Sequence, residues 1–264
     1  MIAVFKETLA CLLLAQPEQK CAAVFALQAR FNEEDIDLSK SEKIESIVTP
    51  GRPNQPKLVS PREVPRRNLA TEEGRIALIH AIAHIEFNAI NLALDAMYRF
   101  QDMPLEYYEN WMQVAFEEAQ HFTMLRAHLQ ELDCEYGDFD AHNGLWEMAL
   151  KTQNSVIARM ALVPRVLEAR GLDVTPGMIK RLQGHGDTAT VEILKIIFEQ
   201  EIGHVAIGSQ WFNYACSLEN KLPEETFQEL LKEYMSGELR GPFEIEARKK
   251  AGFSDLELQA LQNV

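Results

Sequence analysis

Four glutamates and two histidines are the residues of this chain best suited to chemistry. Glu118 and His121 stand three residues apart, and so do Glu201 and His204. On a helix that spacing points a carboxylate and an imidazole at one place in space. With 30 glutamates and 7 histidines among 264 residues, chance alone gives roughly one such pair. Position lifts the pattern above coincidence. Glu86 precedes Glu118 by 32 residues and Glu168 precedes Glu201 by 33, so the order Glu, then Glu-x-x-His, occurs twice. The two halves form a weak internal repeat in ligand pattern.

The neighbours of these acids decide what the pattern means. Glu86 shares its face with Ile79, Ile82, Ala83, Ala89, Ile90 and Ala93, and Glu118 shares its face with Val114, Ala115, Phe122 and Leu125. Glu201 sits among Leu194, Ile197, Phe198, Val205 and Gly208. A lone carboxylate on such a face costs several kcal/mol or takes up a proton, and several converging on one core repel each other. Cations remove the conflict. Two divalent ions balance the four glutamates Glu86, Glu118, Glu168 and Glu201, with one neutral histidine, His121 or His204, for each ion. Mixed carboxylate and imidazole ligation suits iron or manganese better than thiolate-preferring ions. Glu117 is the rival to Glu118, but its face carries Asn110, Gln113 and Gln120 and points to solvent. His80 and His84 have an i, i+4 spacing compatible with metal; alone on their helix they read as groups that hydrogen-bond near the ligands. Arg170 and Asp173 are candidates for the same supporting role.

Helices must position these residues. Met1 to Arg30 reads as two short helices broken at Pro17, which makes a good first turn for the second. From Phe31 to Ala70 periodicity dissolves into a stretch holding Pro50, Pro53, Pro56, Pro61 and Pro65, an extended arm draped over the body. Thr71 then caps a helical region that runs to about Cys216, with breaks near 102–104, 133–143 and 171–186. That spacing predicts four long helices and no strand. From the turn near Phe100, Glu86 and Glu118 both lie about 20 Å away at 1.5 Å per residue, so they are level. Gly171, Thr175 and Pro176 predict a kink or break, with a short helix over 176–183. Beyond Pro223 come shorter helices, with breaks at Ser236-Gly237 and Gly241-Pro242 and a cap at Ser254. The resulting organisation is 1–33 N-terminal helices, 34–70 arm, 71–218 four-helix bundle and 219–264 C-terminal helical extension.

Composition narrows the function classes. Forty acidic against 26 basic residues leave a formal charge of −14, which repels phosphate backbones and argues against generic nucleic-acid binding. Arg52, Lys57, Arg62, Arg66 and Arg67 of the arm read as a solvated basic run lying on an acidic body. Cys11, Cys21, Cys134 and Cys216 are scattered, without a CxxC pair, which fits a reducing cytoplasm and gives no zinc ribbon or disulfide framework. The apolar run Leu9 to Ala15 is too short to span a bilayer and makes a poor signal, so neither export nor membrane insertion is expected. In the fourth helix Gly203 and Gly208 each cost about 1 kcal/mol against alanine. Either open space beside the metals or close approach of a neighbouring helix compensates. Trp211, Phe212 and Tyr214 read as packing.

Glu86, Glu118-x-x-His121, Glu168 and Glu201-x-x-His204 resemble the ligand set of the ferritin-like diiron-carboxylate superfamily, in its order and helix spacing. More narrowly, Pro50-Gly51-Arg52-Pro53, the run Gly74 to Asp95, the segment Glu168 to Asp173 and the segment Glu201 to Gly208 resemble a bacterial ferritin-like family catalogued as a domain of unknown function. The resemblance covers nearly the whole chain. It implies a ferritin-like four-helix bundle holding two iron ions and an oxygen-activating oxidase or hydroxylase. Dioxygen and a small-molecule substrate would be its reactants, and a separate reductase or ferredoxin its electron donor. A protein that oxidises iron without an organic substrate is the alternative. The step Glu168-Ala169-Arg170 also resembles the diiron tRNA hydroxylases, a reading the net charge opposes.

Overall fold

The structure is a computed structural model that describes residues 1–40, 43–64, 68–235 and 239–262. It is all-α apart from one short strand pair, as the periodicity predicts. Two compact units divide the chain, Met1–Leu150 and Lys151–Val264.

The first unit opens with strand β1 (Ile2–Ala3), which pairs in parallel with β2 (Ile36–Asp37). Period-2 patterning cannot reveal a strand of two residues, and this pair corrects the strand-free expectation. Helix α1 (Val4–Leu13) follows, then α2 (Pro17–Phe31) with Pro17 in its first turn, where a missing N–H costs nothing. Buried Lys20 on α2 donates to the carbonyls of Cys11 and Leu12 at the end of α1 and to Asn91 Oδ1, at 2.7–3.1 Å. Burial lowers its pKa to about 7.

Helices α3 (Glu72–Arg99) and α4 (Leu105–Glu131) form an antiparallel hairpin that is the heart of this unit. Thr71 caps α3, its hydroxyl accepting from Gly74 N at 3.2 Å. Tyr107 and Tyr108 lace the turn by donating to Ala96 O and Phe100 O. Helix α3 is long and apolar enough to cross a membrane by length and composition, yet 72% of its most apolar window is buried inside the protein. The arm is draped as expected: Gly51 N donates to Leu12 O, Trp146 Nε1 to Val48 O, and Leu58 bridges to Ala141. A Cβ at Gly51 would strike the backbone of Leu13 and Leu14, which is why the arm's closest approach uses glycine. Arg52 is half-buried and donates to Pro53 O and Pro56 O within the arm. Lys57 and Arg62 are exposed, while Arg66 and Arg67 lie outside the described residues. Helix α5 (Gly144–Lys151) closes the unit.

In the second unit the stretch expected as one long helix is segmented. Helix α6 (Val156–Leu162), capped by Ser155, passes into a π-helix over Val163–Glu168 and then α7 (Ala169–Gly184). The irregularity therefore falls before Glu168, and α7 runs unbroken through Gly171, Thr175 and Pro176, correcting the predicted kink there. Pro164 cannot donate to the helix ladder and its ring crowds the preceding turn, so the widened π-turn forms around it. Pro176 carries the same handicap, but buried Leu172, Asp173 and Leu182 anchor α7 on either side of it. Helix α8 (Thr188–Leu218) begins at Asp187, whose carboxylate accepts from Thr190 N, and packs along α6, the π-helix and α7. Helices α9 (Pro223–Met235), α10 (Ile245–Lys250) and α11 (Asp255–Gln262) complete the unit. Ser254 caps α11 as expected, and Glu257 reaches back to Ser254 N at 2.8 Å, a reciprocal capping box. The break expected at Ser236-Gly237 lies outside the described residues.

Candidate metal centre

In the first unit Glu86 comes from α3 and Glu118 and His121 from α4, at the level that counting residues from the shared turn requires. His121 Nδ1 lies 3.0 Å from Glu86 Oε2 and 3.4 Å from Glu118 Oε2. Ligand atoms of all three fall within 4.8 Å of one another, and all three side chains are buried. Glu117, by contrast, is half-buried and accepts from Gln113 Nε2 at 2.7 Å.

The electrostatics are those of a buried acidic set that could hold a metal ion. Burial, then the neighbouring Glu118 charge, raise the Glu86 carboxyl far above the ordinary carboxylate range. Burial disfavours a charged His121, but its hydrogen bonding to the carboxylates of Glu118 and Glu86 outweighs it and raises the imidazole well above its usual value. An imidazolium and a held proton thus do part of a cation's work. Carboxylate oxygens and an imidazole nitrogen are metal-ligating groups, and a bound cation would offset the negative charge of this buried set.

The second unit repeats the contact. His204 Nδ1 lies 3.2 Å from Glu201 Oε1 on α8; the histidine is buried, whereas the Glu201 side chain is 12% exposed. Glu168 ends the π-helix and is buried. Pro164, four residues before Glu168, touches α8 at Gly208, four residues after His204; a Cβ at 208 would fall on the Pro164 ring. Glu168 and His204 therefore lie one turn along from the same contact on facing, antiparallel elements. Of the two compensations weighed for the glycines, close approach holds at Gly208. Gly203 is exposed, with nothing within 4 Å of the Cβ it lacks.

The remaining candidates fasten other segments. His80 Nε2 accepts from Gly137 N at 2.8 Å. His84 Nδ1 lies 2.9 Å from the Tyr136 hydroxyl, and its Nε2 lies 3.1 Å from both the carbonyl of His142 and Asn88 Nδ2. Burial lowers the His84 pKa to about 4. These two histidines pin the loop after α4 against α3, with Tyr136 stacked on both. Arg170 donates to Arg240 O and Pro242 O, and Asp173 accepts two hydrogen bonds from Arg248 at 2.8 and 2.7 Å. The sequence reading did not find Arg165, Ser209 or Glu257, which join around Phe212. A lone arginine in the apolar run Val163 to Leu167 signalled a buried ion pair; nothing in the sequence pointed to a partner 92 residues away.

Residues 13–259 match the family described as "Protein of unknown function (DUF455)". A Haemophilus influenzae protein described as "Uncharacterized protein" is 44% identical over 261 residues, covering 95% of this chain and 90% of its own length. No solved structure matches. With a match running from the end of α1 into α11, and a relative this similar over nearly its full length, the chain belongs to the DUF455 family.

Proposed function

We propose that this protein is a ferritin-like dimetal-carboxylate protein. Glu86, Glu118 and His121 serve one ion and Glu168, Glu201 and His204 another, both iron, with manganese as the competing metal. The observation that carries the proposal is the convergence of Glu86, Glu118 and His121 in a buried place, with the same carboxylate–Nδ1 contact repeated at Glu201 and His204. Bound iron would supply redox chemistry with dioxygen, and the activity we propose is an oxidase or hydroxylase acting on a small organic substrate with electrons from an external donor.

The chain's own residues bind, orient and keep dry. Glu86 gives up its proton when an ion arrives, and His121 presents Nδ1 to whatever lies between the two carboxylates. Val114, Ala115, Phe122 and Leu125, all buried, keep water away from this set. The net charge of −14 opposes a tRNA substrate.

Anaerobic titration with Fe(II) tests the proposal: two equivalents bound per chain are expected, fewer after Glu118→Ala or His204→Ala. No uptake, together with thermal melting unmoved by chelator dialysis, would overturn it. On adding oxygen, one oxidation event per pair of ions supports an oxidase, whereas repeated iron turnover with mineral growth supports an iron-oxidising protein instead. RNA affinity at moderate salt would reopen the tRNA reading.

A further inference from the structure

Glu168 and His204 belong to a unit where helix periodicity is interrupted, so something else has to hold them. Arg165 leaves the same π-turn that ends at Glu168. Its Nε donates to Ser209 Oγ at 3.1 Å and its Nη2 to Glu257 Oε1 at 2.6 Å, both side chains of this pair being buried. The guanidinium carbon sits 4.7, 4.6 and 4.6 Å from the ring centroids of Phe212, Phe227 and Phe253. Ser209 in turn donates to Ala251 O at 2.7 Å, and the capping box of α11 fixes the other oxygen of Glu257. Ser209 follows Gly208, whose contact with Pro164 already brings α8 against the π-turn. On the far side of Glu168, Asp173 is gripped by Arg248 of α10. The C-terminal segment thus holds the chain before and after Glu168, and α8 just beyond His204.

We propose that Arg165, seated by Glu257 and Ser209, is a positioning residue that fixes the spacing of Glu168 and His204, and that the C-terminal segment is a working part of this ligand set. The inference rests on the metal reading above. A guanidinium suits the task because its planar fork serves Ser209 and Glu257 at once while its faces stack on the rings, which a lysine cannot do. A buried ion pair adds little net stability over well-packed apolar groups, so geometry is what this one supplies.

The test uses the full chain with Glu257→Ala, Glu257→Gln and Arg165→Lys. Asp95→Ala is the control, because it breaks the comparably buried Arg99–Asp95 pair of the first unit. Two quantities are measured: amide exchange of the metal-free protein over 163–168 and 204–209, and titration with Co(II) followed by visible absorption. Glu257→Ala and Arg165→Lys should speed exchange in both stretches, weaken the second Co(II) equivalent by about 10–100-fold and shift its bands. Glu257→Gln, which keeps the hydrogen bond, should recover most of the loss, and Asp95→Ala should leave both readouts as in the wild type. Unchanged exchange and spectrum in Glu257→Ala, or the same changes in Asp95→Ala, would overturn the positioning role. A wild type that takes up no Co(II) removes the metal reading instead, and the exchange comparison then decides positioning by itself.

Discussion

The two sets of glutamates and histidine carry the same side chains but are built differently. Glu86, Glu118 and His121 stand on an uninterrupted hairpin of 28- and 27-residue helices, where a short turn and the helical rise suffice to bring them level. Glu168, Glu201 and His204 stand on a long helix facing a segmented one with a π-turn. There a proline against a glycine and a caged arginine do what regular periodicity does in the first set. The electrostatics differ too: Glu118 is 1% exposed and Glu201 12%. A regular scaffold lets a site be buried without extra bracing, whereas an irregular one needs contacts from outside its own helices.

The largest expected effect breaks this contrast in the metal-free protein. His121→Ala leaves two buried carboxylates without their imidazole and should cost about 3–5 kcal/mol in urea unfolding, by the rule for stripping one partner from a buried pair. Glu201→Ala, at a partly exposed contact, should cost no more than about 1 kcal/mol. Equal losses would show that the exposure difference carries no energetic weight. Next comes Gly208→Ala, which forces a methyl onto the Pro164 ring and should cost about 1–3 kcal/mol while reducing metal content. Metal content that stays at the wild-type level would separate the Pro164 contact from ligand spacing.

A smaller effect concerns pH. The Glu86 pKa rises in the folded metal-free protein from 4.5 to about 8, so its contribution is present at low pH and is lost as pH climbs between those values. His121, also raised, acts in the same direction. Lys20 is lowered from 10.5 to about 7, so the penalty for burying its charge is relieved as pH rises through that window. The metal-free melting temperature should therefore fall from about pH 5 to 8, and Glu86→Gln should flatten that fall, while Lys20→Met should flatten only the region above pH 7. Bound metal should reverse the first slope, since it requires the deprotonated ligands. A melting curve independent of pH in both forms would contradict these assignments. The smallest effect sharpens the comparison of the two glycines: Gly203→Ala, on an exposed face, should gain up to about 1 kcal/mol from helix propensity and leave metal uptake alone.

Much of this was legible in the residues. Periodicity and the cap at Thr71 located α3 and α4, and equal distances from the turn near Phe100 put Glu86 and Glu118 at one level. The cap at Ser254 and the draped arm follow from local chemistry as well. Pro164 and Pro176 were not separable by sequence, because each disfavours a helix interior to the same degree; burial of Leu172, Asp173 and Leu182 straightened one, and the fit of the Pro164 ring against Gly208 left the other as a π-turn. Strand pair β1 and β2, at two residues each, left no period to detect.

Side-chain types and helical spacing by themselves determined an all-α chain with two matching sets of carboxylate and imidazole, because those depend on contacts within a turn or across a short hairpin. Only the tertiary structure decided which proline bends the backbone, which glycine is needed, and that Arg165 reaches Glu257. Such choices turn on pairs of residues far apart in the chain, and no local rule of propensity or period encodes who meets whom.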